Sequence, residues 1–166
     1  MVPYRIKQFY WAVVAIIKKD DINILHNYLN KDEIKVFMKL SKAERQHCFR
    51  VFNNSIKYID ENKINVNIDK LARCALLHDI GKSIVKTNTI EKSIFIILKY
   101  ITGNNVLKYN KRIEKYYKHA EIGGEILLEL GECDKDIITC IVNHHNKERA
   151  IDNIYLQIIS ICDDLS

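Results

Sequence analysis

The chain has 166 residues, of which 48% are hydrophobic and 28% are charged, which is ordinary for a soluble globular protein of one domain with a substantial core. Its 26 basic and 21 acidic residues give a net charge of +5. We interpret this charge first as a solvated lysine surface and second as a site for an anionic ligand such as a nucleotide. One proline and five glycines provide few turns, so the composition disfavours a strand-rich fold and favours an all-α one.

The cysteines exclude a further class of protein. There are five, an odd number, and no two of them form a CxxC pair. Most fall within apolar helical patterns, where cysteine behaves as a small hydrophobic residue. We therefore expect a cytoplasmic protein in a reducing compartment, without a thiolate zinc site.

The first predicted helix spans residues 4–19 and includes the apolar run Trp11 to Ile17. This run is too short to cross a bilayer, and charged residues follow it in place of a signal-peptide cleavage site. We interpret it as a packing helix and expect no membrane partner. Two shorter helices follow before residue 40, the first with Asp20 or Asp21 as its N-cap.

The main domain is predicted to begin at residue 41. Ser41 and Glu44 form the capping-box signature of a helix start. Residues 41–166 are therefore predicted as this domain and residues 1–40 as a helical segment packed on it, in a single globular unit.

The remaining helices are predicted from their caps and breakers. We predict helices over residues 42–62, 68–78 and 89–100, one that carries His119 and stops at Gly131, one capped by Asp134, and one that starts at Asp152 or Asn153 and runs to Asp163. Gly81 is expected just after the second of these, where a left-handed residue often ends a helix. No alternating strand pattern is present.

Five ionisable side chains extend the apolar faces of different predicted helices. His47, His78, His119, His144 and Asp163 each lie at helical spacing from apolar residues. Burial of an unpaired ionisable group costs several kcal/mol or more, so such groups are paired or bind metal. One histidine alone is more simply a core residue bonded to a backbone carbonyl. The whole set favours a metal site between helices.

The order of these residues resembles that of a known superfamily. Leu76-Leu77-His78-Asp79-Ile80-Gly81-Lys82 contains an adjacent His-Asp pair, and His119-Ala-Glu-Ile-Gly-Gly-Glu-Ile-Leu follows it. With His47 upstream, and His144-His145 and Asp163 downstream, the order reads H…HD…H…HH…D. It resembles the HD superfamily of metal-dependent phosphohydrolases, in the HDIG subgroup of small standalone proteins. The resemblance implies an all-α HD-domain helical bundle with a metal site in its core.

The resemblance also implies a role for each residue. It assigns His47, His78, Asp79 and Asp163 to one metal, and His119 and His144 to a second metal that Asp79 bridges to the first. His145 is either a further ligand or a surface residue. Asp79 and Lys82 are the candidate catalytic residues, where Lys82 either neutralises a phosphate oxygen or is a plain surface lysine.

The mixed imidazole and carboxylate ligands favour one or two divalent transition-metal ions, either Mn²⁺, Fe²⁺, Co²⁺ or Ni²⁺, with Zn²⁺ and Mg²⁺ as further alternatives. The implied reaction is hydrolysis of a nucleotide or other phosphoester by a metal-activated water. Two alternatives stay open: an HD-type di-iron oxygenase, and a non-catalytic nucleotide-binding signalling module. We expect no specific nucleic-acid binding, and the oligomeric state is left open.

The segments beside the motif narrow the specificity. Asn146-Lys147-Glu148-Arg149 follows His145 without the GYP segment of the cyclic-di-GMP phosphodiesterases. Ile80-Gly81-Lys82-Ser83 follows Asp79 without the Glu-Asp pair of the alarmone hydrolases or the acidic residue of the deoxynucleoside monophosphatases. These departures argue against all three specificities.

The densest basic cluster lies just before His119. It consists of Lys108, Lys111, Arg112, Lys115 and Lys118. We interpret it first as a solvated helix face and second as an entrance for phosphate.

Overall fold

The chain folds as a bundle of helices. The computed structural model describes residues 18–85, 89–146, 148 and 152–166. Within these ranges it contains ten α-helices, a 3-10 helix and no strand, so the predicted all-α class is confirmed. The predicted first helix lies outside the described residues except for Lys18 and Lys19, which are not helical.

The helices match the predicted order, with two short ones added. They are α1 (Ile22–Tyr28), α2 (Lys31–Phe37), α3 (Lys42–Glu61), α4 (Ile68–Leu77), α5 (Thr89–Thr102), α6 (Asn105–Tyr109), α7 (Lys111–Tyr117), α8 (His119–Glu129), α9 (Lys135–Asn143) and α10 (Ile154–Asp164), with the 3-10 helix at Ile80–Ile84. None of the helices in the described part of the chain is both long and apolar enough to cross a membrane.

Side-chain caps explain where several of these helices begin. The predicted capping box starts α3, where the Glu44 amide donates to Ser41 Oγ and the Ser41 amide donates to Glu44 Oε2 at 3.0 Å. Asn30 and Glu33 form a second capping box at α2, and the side chains of Asp21 and Asn153 accept from amides in the first turns of α1 and α10. Such caps satisfy amides that have no partner in the first turn of a helix.

Helix α4 lies at the centre of the bundle. It packs against α3, α9 and α10, and Leu71, Ala75, Leu76 and Leu77 are fully buried. Because α4 is buried on most sides, its C-terminal end lies in the protein interior. The two residues that follow α4 are His78 and Asp79, which are 0% and 1% exposed.

The expected role of Gly81 as a left-handed helix terminator is wrong. Gly81 lies inside the 3-10 helix, and the described glycines with positive φ are Gly103 and Gly131. Its missing side chain is required for another reason: a Cβ there would overlap the carbonyl oxygen of His119 and lie 2.7 Å from the Gly123 amide nitrogen. Gly81 thus allows the 3-10 helix to pack directly on the backbone of α8.

Candidate metal centre

The structure brings all seven predicted metal ligands together at the C-terminal end of α4. Their donor atoms form two groups, and within each group all atoms lie within 4.8 Å of one another. The first group is His47, His78 and Asp163, and the second is Asp79, His119, His144 and His145.

Helix ends supply most of these donors. His78 and His144 are the C-caps of α4 and α9, His119 is the first residue of α8, and Asp163 lies in the last turn of α10. Only His47 lies well inside a helix, α3. The chain therefore assembles the site where several helices converge.

Asp79 lies between the two groups, and its two carboxylate oxygens face different partners. Oδ1 lies 3.3 Å from His119 Nε2 and 3.7 Å from His144 Nε2. Oδ2 lies 3.5 Å from His78 Nε2 and 3.8 Å from His47 Nε2. A carboxylate in this position can bind one ion through each oxygen.

Backbone carbonyls orient three of the imidazoles. The Nδ1 atoms of His78, His119 and His144 lie 2.9, 2.8 and 2.7 Å from a carbonyl oxygen three residues earlier, which belongs to Ala75, Tyr116 and Ile141 respectively. Because a carbonyl can only accept, Nδ1 donates to it and Nε2 is directed to the centre, where it is the nitrogen that a metal would bind. Sequence analysis missed these acceptors because any residue type supplies a carbonyl. Only the spacing of three residues could have indicated them.

The spacing of the donors fits shared cations. His47 and His78 approach through Nε2 at 3.3 Å, and His119 and His145 do so at 3.0 Å. Two donors at 2.0–2.1 Å from one ion, at right or tetrahedral angles, are about 2.9–3.4 Å apart. Asp79 Oδ1 and His144 Nε2 are buried and have no hydrogen-bond partner among the described residues. Buried lone pairs that face each other in this way fit a divalent cation.

Lys82 is the main departure from the predicted arrangement. Its ammonium lies 2.6 Å from Asp79 Oδ2, and its side chain is only 18% exposed. Lys82 therefore forms an ion pair with Asp79. Of its two interpretations, the position disfavours a plain surface lysine. The 3-10 helix explains the contact, because residues three apart project to the same side there.

The charges around Asp79 favour its ionised form. Burial alone would raise the pKa of the Asp79 carboxyl, but the adjacent Lys82 ammonium holds this pKa well below its usual value. For Lys82, burial would lower the pKa, and the Asp79 carboxylate outweighs it so that the pKa is raised. Asp79 therefore stays negatively charged and available as a ligand across the physiological pH range.

Asp163 belongs to the same electrostatic network. Burial would raise the pKa of its carboxyl, but the hydrogen bond that it accepts from His47, where Nε2 and Oδ1 are 2.9 Å apart, lowers it. His78 itself has a lowered pKa, chiefly because of its burial. A neutral imidazole beside an ionised carboxylate is the protonation state that metal binding requires.

His145 lies at the exposed rim of the second group. Desolvation of its imidazole, together with the nearby His144 and His119, lowers its pKa to about 3. The ring is therefore neutral at physiological pH and points Nε2 towards His119. Of the two interpretations left open for His145, this position favours a further ligand.

Two comparisons with known proteins found a match. The sequence model of a family described as HD domain matches residues 45–166. Ribonuclease Y of Mycoplasmoides gallisepticum (strain R(low / passage 15 / clone 2)) is 29% identical in an alignment of 147 residues that covers 84% of this chain and 22% of that protein. The chain thus spans about a fifth of this relative. No solved structure gave a significant match.

Proposed function

Because the chain belongs to the HD domain family, we propose that it is a metal-dependent phosphohydrolase that cleaves a nucleotide or another phosphoester. The observation that supports this best is the position of Asp79, whose two oxygens face two separate groups of imidazole donors. A single structural ion pair would need neither the second group nor a buried oxygen that lacks a hydrogen-bond partner.

In this proposal the chain holds one or two divalent cations. His47, His78, Asp163 and Asp79 would hold the first, and His119, His144 and His145 would hold a second together with Asp79. A divalent cation supplies Lewis acidity and lowers the pKa of a coordinated water, which makes it a nucleophile at neutral pH. We expect Mn²⁺, Fe²⁺, Co²⁺ or Ni²⁺ rather than a closed tetrahedral zinc site, because the donors are imidazole and carboxylate groups in an open arrangement.

The protein's own residues orient the reaction. The carbonyls of Ala75, Tyr116 and Ile141 keep the protons of their histidines on Nδ1, so the donor atoms need no rearrangement. Lys82 carries the one ammonium that lies against Asp79 in the described part of the chain, so it would lie near a phosphoryl oxygen if that oxygen were bound by a cation at Asp79. We assign it the neutralisation of charge on that oxygen.

A second candidate is hydrolysis of a phosphodiester bond in RNA. It is favoured by the similarity to a protein named ribonuclease Y, which extends over 84% of this chain. A phosphodiester and a phosphomonoester present the same non-bridging oxygens to a metal centre, so the same donors suit both. This candidate differs from the expectation that the chain has no specific nucleic-acid partner.

The first experiment is elemental analysis of protein purified without chelator. We expect two equivalents of transition metal per chain, and hydrolysis of nucleotides, of bis-p-nitrophenyl phosphate or of a short single-stranded RNA after reconstitution. Asp79→Ala should lose both the metal and the activity. The matched control is His26→Gln, because His26 is exposed on α1, outside both donor groups.

Each result discriminates between the alternatives. One equivalent of metal with turnover would support a mononuclear enzyme. Two equivalents of iron, an optical signature under oxygen and no hydrolysis would favour the di-iron oxygenase. Tight nucleotide binding without turnover would favour the signalling module. No metal after reconstitution with Mn²⁺ or Fe²⁺, or full metal content in Asp79→Ala, would contradict the proposal.

A further inference from the structure

A cleft of about 810 Å³ opens beside the second donor group. The cleft, here called the His145 cleft, lies where the start of α8 meets the end of α9, and its lining includes Tyr117, Glu121, Asn143, His145, Asn146 and Glu148. His145 also belongs to the donor group, where its Nε2 lies 3.0 Å from His119 Nε2. Small organic ligands occupy cavities of roughly 300–1,000 Å³. A substrate whose phosphate is bound at the donor group therefore has room for its organic part in the His145 cleft.

The charged side chains described in this lining, apart from the neutral His145 ring, are carboxylates. Glu121 and Glu148 are both exposed to solvent. Neither forms an ion pair with another residue in the described ranges. Lys118, the basic residue closest to Glu121 along the chain, pairs with Glu114 at 2.7 Å. Because like charges repel, the lining disfavours a second phosphate. Because an ionised carboxylate only accepts hydrogen bonds, it favours a group with N–H donors.

The other side chains of the lining suit a planar heterocycle. Tyr117 is half-buried, and the Lys99 ammonium lies 3.8 Å from the centre of its ring, which holds the ring in place. Asn143 donates Nδ2 to the Thr139 carbonyl at 2.9 Å, which fixes its amide group in the same way. A nucleobase can pack against an aromatic ring, and amide and carboxylate groups form hydrogen bonds with its edge.

We propose that the His145 cleft receives the base of a nucleoside monophosphate and that Glu121 selects a base with an amino group. This inference rests on the proposed function, because it takes the phosphate to be bound at the metal centre. Glu121 lies on α8, two residues after His119, so one helix sets its position relative to the donor group. Its carboxylate would accept a hydrogen bond from the amino group of cytosine. It would repel the carbonyl oxygen that uracil carries in the same place.

The test compares cytidine with uridine, whose bases differ in that amino group and carbonyl oxygen. Binding of their non-hydrolysable 5′-methylenephosphonate analogues to the metal-loaded full chain is measured by calorimetry. We expect the cytidine analogue to bind at least about tenfold more tightly, as a hydrogen bond to a charged group allows. Glu121→Gln should bind both analogues equally, because an amide can donate to the uracil oxygen as well as accept from the cytosine amino group.

The matched control is Glu125→Gln, which removes the same charge from an exposed side chain of α8 outside the cleft lining. It should keep the preference for the cytidine analogue. Both variants should keep their helical content, their metal content and the unchanged rate with p-nitrophenyl phosphate, whose leaving group has no amino group. Equal affinity of the unchanged chain for the two analogues, or a preference that Glu121→Gln retains, would overturn the proposal.

The same measurements separate this inference from the proposed function. Turnover of p-nitrophenyl phosphate without binding of either analogue would support hydrolysis and overturn the assignment of the His145 cleft. A preference for the cytidine analogue that Glu121→Gln removes, without turnover of any phosphoester, would support the cleft assignment and contradict hydrolysis.

Discussion

Gly81→Ala should separate the two donor groups of the candidate site. An added Cβ would overlap the His119 carbonyl oxygen and lie 2.7 Å from the Gly123 nitrogen. Carbon contacts are favourable only at about 3.5 Å or more, so α8 must retreat by about 0.8 Å at Gly123 and further at His119. Both obstacles are backbone atoms and cannot rotate away. We therefore expect a destabilisation of about 3 kcal/mol, the upper end for overpacking.

The retreat would carry His119 away from Asp79, whose Oδ1 is now 3.3 Å from its Nε2. His47, His78 and Asp163 do not lie on α8, so their group should stay in place. Elemental analysis should find one equivalent of metal instead of two. The rate of phosphoester hydrolysis should fall about 100-fold, as expected for a misplacement of about 1 Å at a catalytic centre.

The control for this prediction is Gly103→Ala. Gly103 has φ +60° and no atom within 4 Å of an added Cβ, so the substitution strains the backbone without touching another element. It should cost about 1–2 kcal/mol and leave metal content and rate unchanged. If Gly81→Ala kept two metals and the full rate, the packing of the 3-10 helix on α8 would not determine the position of His119.

Three further predictions concern charge and order at the site. Lys82→Met should keep the metal content and lower the hydrolysis rate at least tenfold, since removal of one charge-stabilising donor from a catalytic site lowers the rate about 100-fold. An unchanged rate would mean that the Lys82 ammonium does not act on the substrate. The chelated protein should lose stability progressively as the pH falls below about 7, because unfolded histidines bind protons near pH 6.5 whereas His78 and His145 have lowered pKa values when folded; since that of His145 is about 3, the loss should continue towards this pH. His145→Gln should make this loss shallower by about one proton, and identical slopes in urea titrations would contradict the assignment. Bound metal should slow amide hydrogen exchange in α10, because a ligand in its last turn ties down a chain end; equal exchange with and without chelator would show that α10 is ordered independently.

Most of the fold could be predicted because its signals are local. Capping residues such as Ser41 and Asp134 bond to amides two or three positions away, so their pattern is visible in the sequence. Helices α6 and α7 were not predicted as separate elements, because α6 has no side-chain cap and the Asn110 cap of α7 was not recognised within the basic stretch. Five donors of the candidate site, His47, His78, His119, His144 and Asp163, could also be named because each continues an apolar helical stripe, whereas Asp79 and His145 were named from the resemblance to the HD superfamily.

Contacts that depend on the path of the backbone after α4 could not be predicted. The prediction of a left-handed Gly81 did not determine whether Lys82 lies at the site or on the surface. The observed 3-10 turn instead eclipses residues three apart, so Lys82 reaches Asp79 Oδ2 at 2.6 Å. The same turn presses Gly81 against the backbone of His119. The five-residue 3-10 helix therefore determines two features of the site. It positions the Lys82 ammonium, which would share Asp79 with an incoming cation, and it sets the distance between Asp79 and the second group of donors.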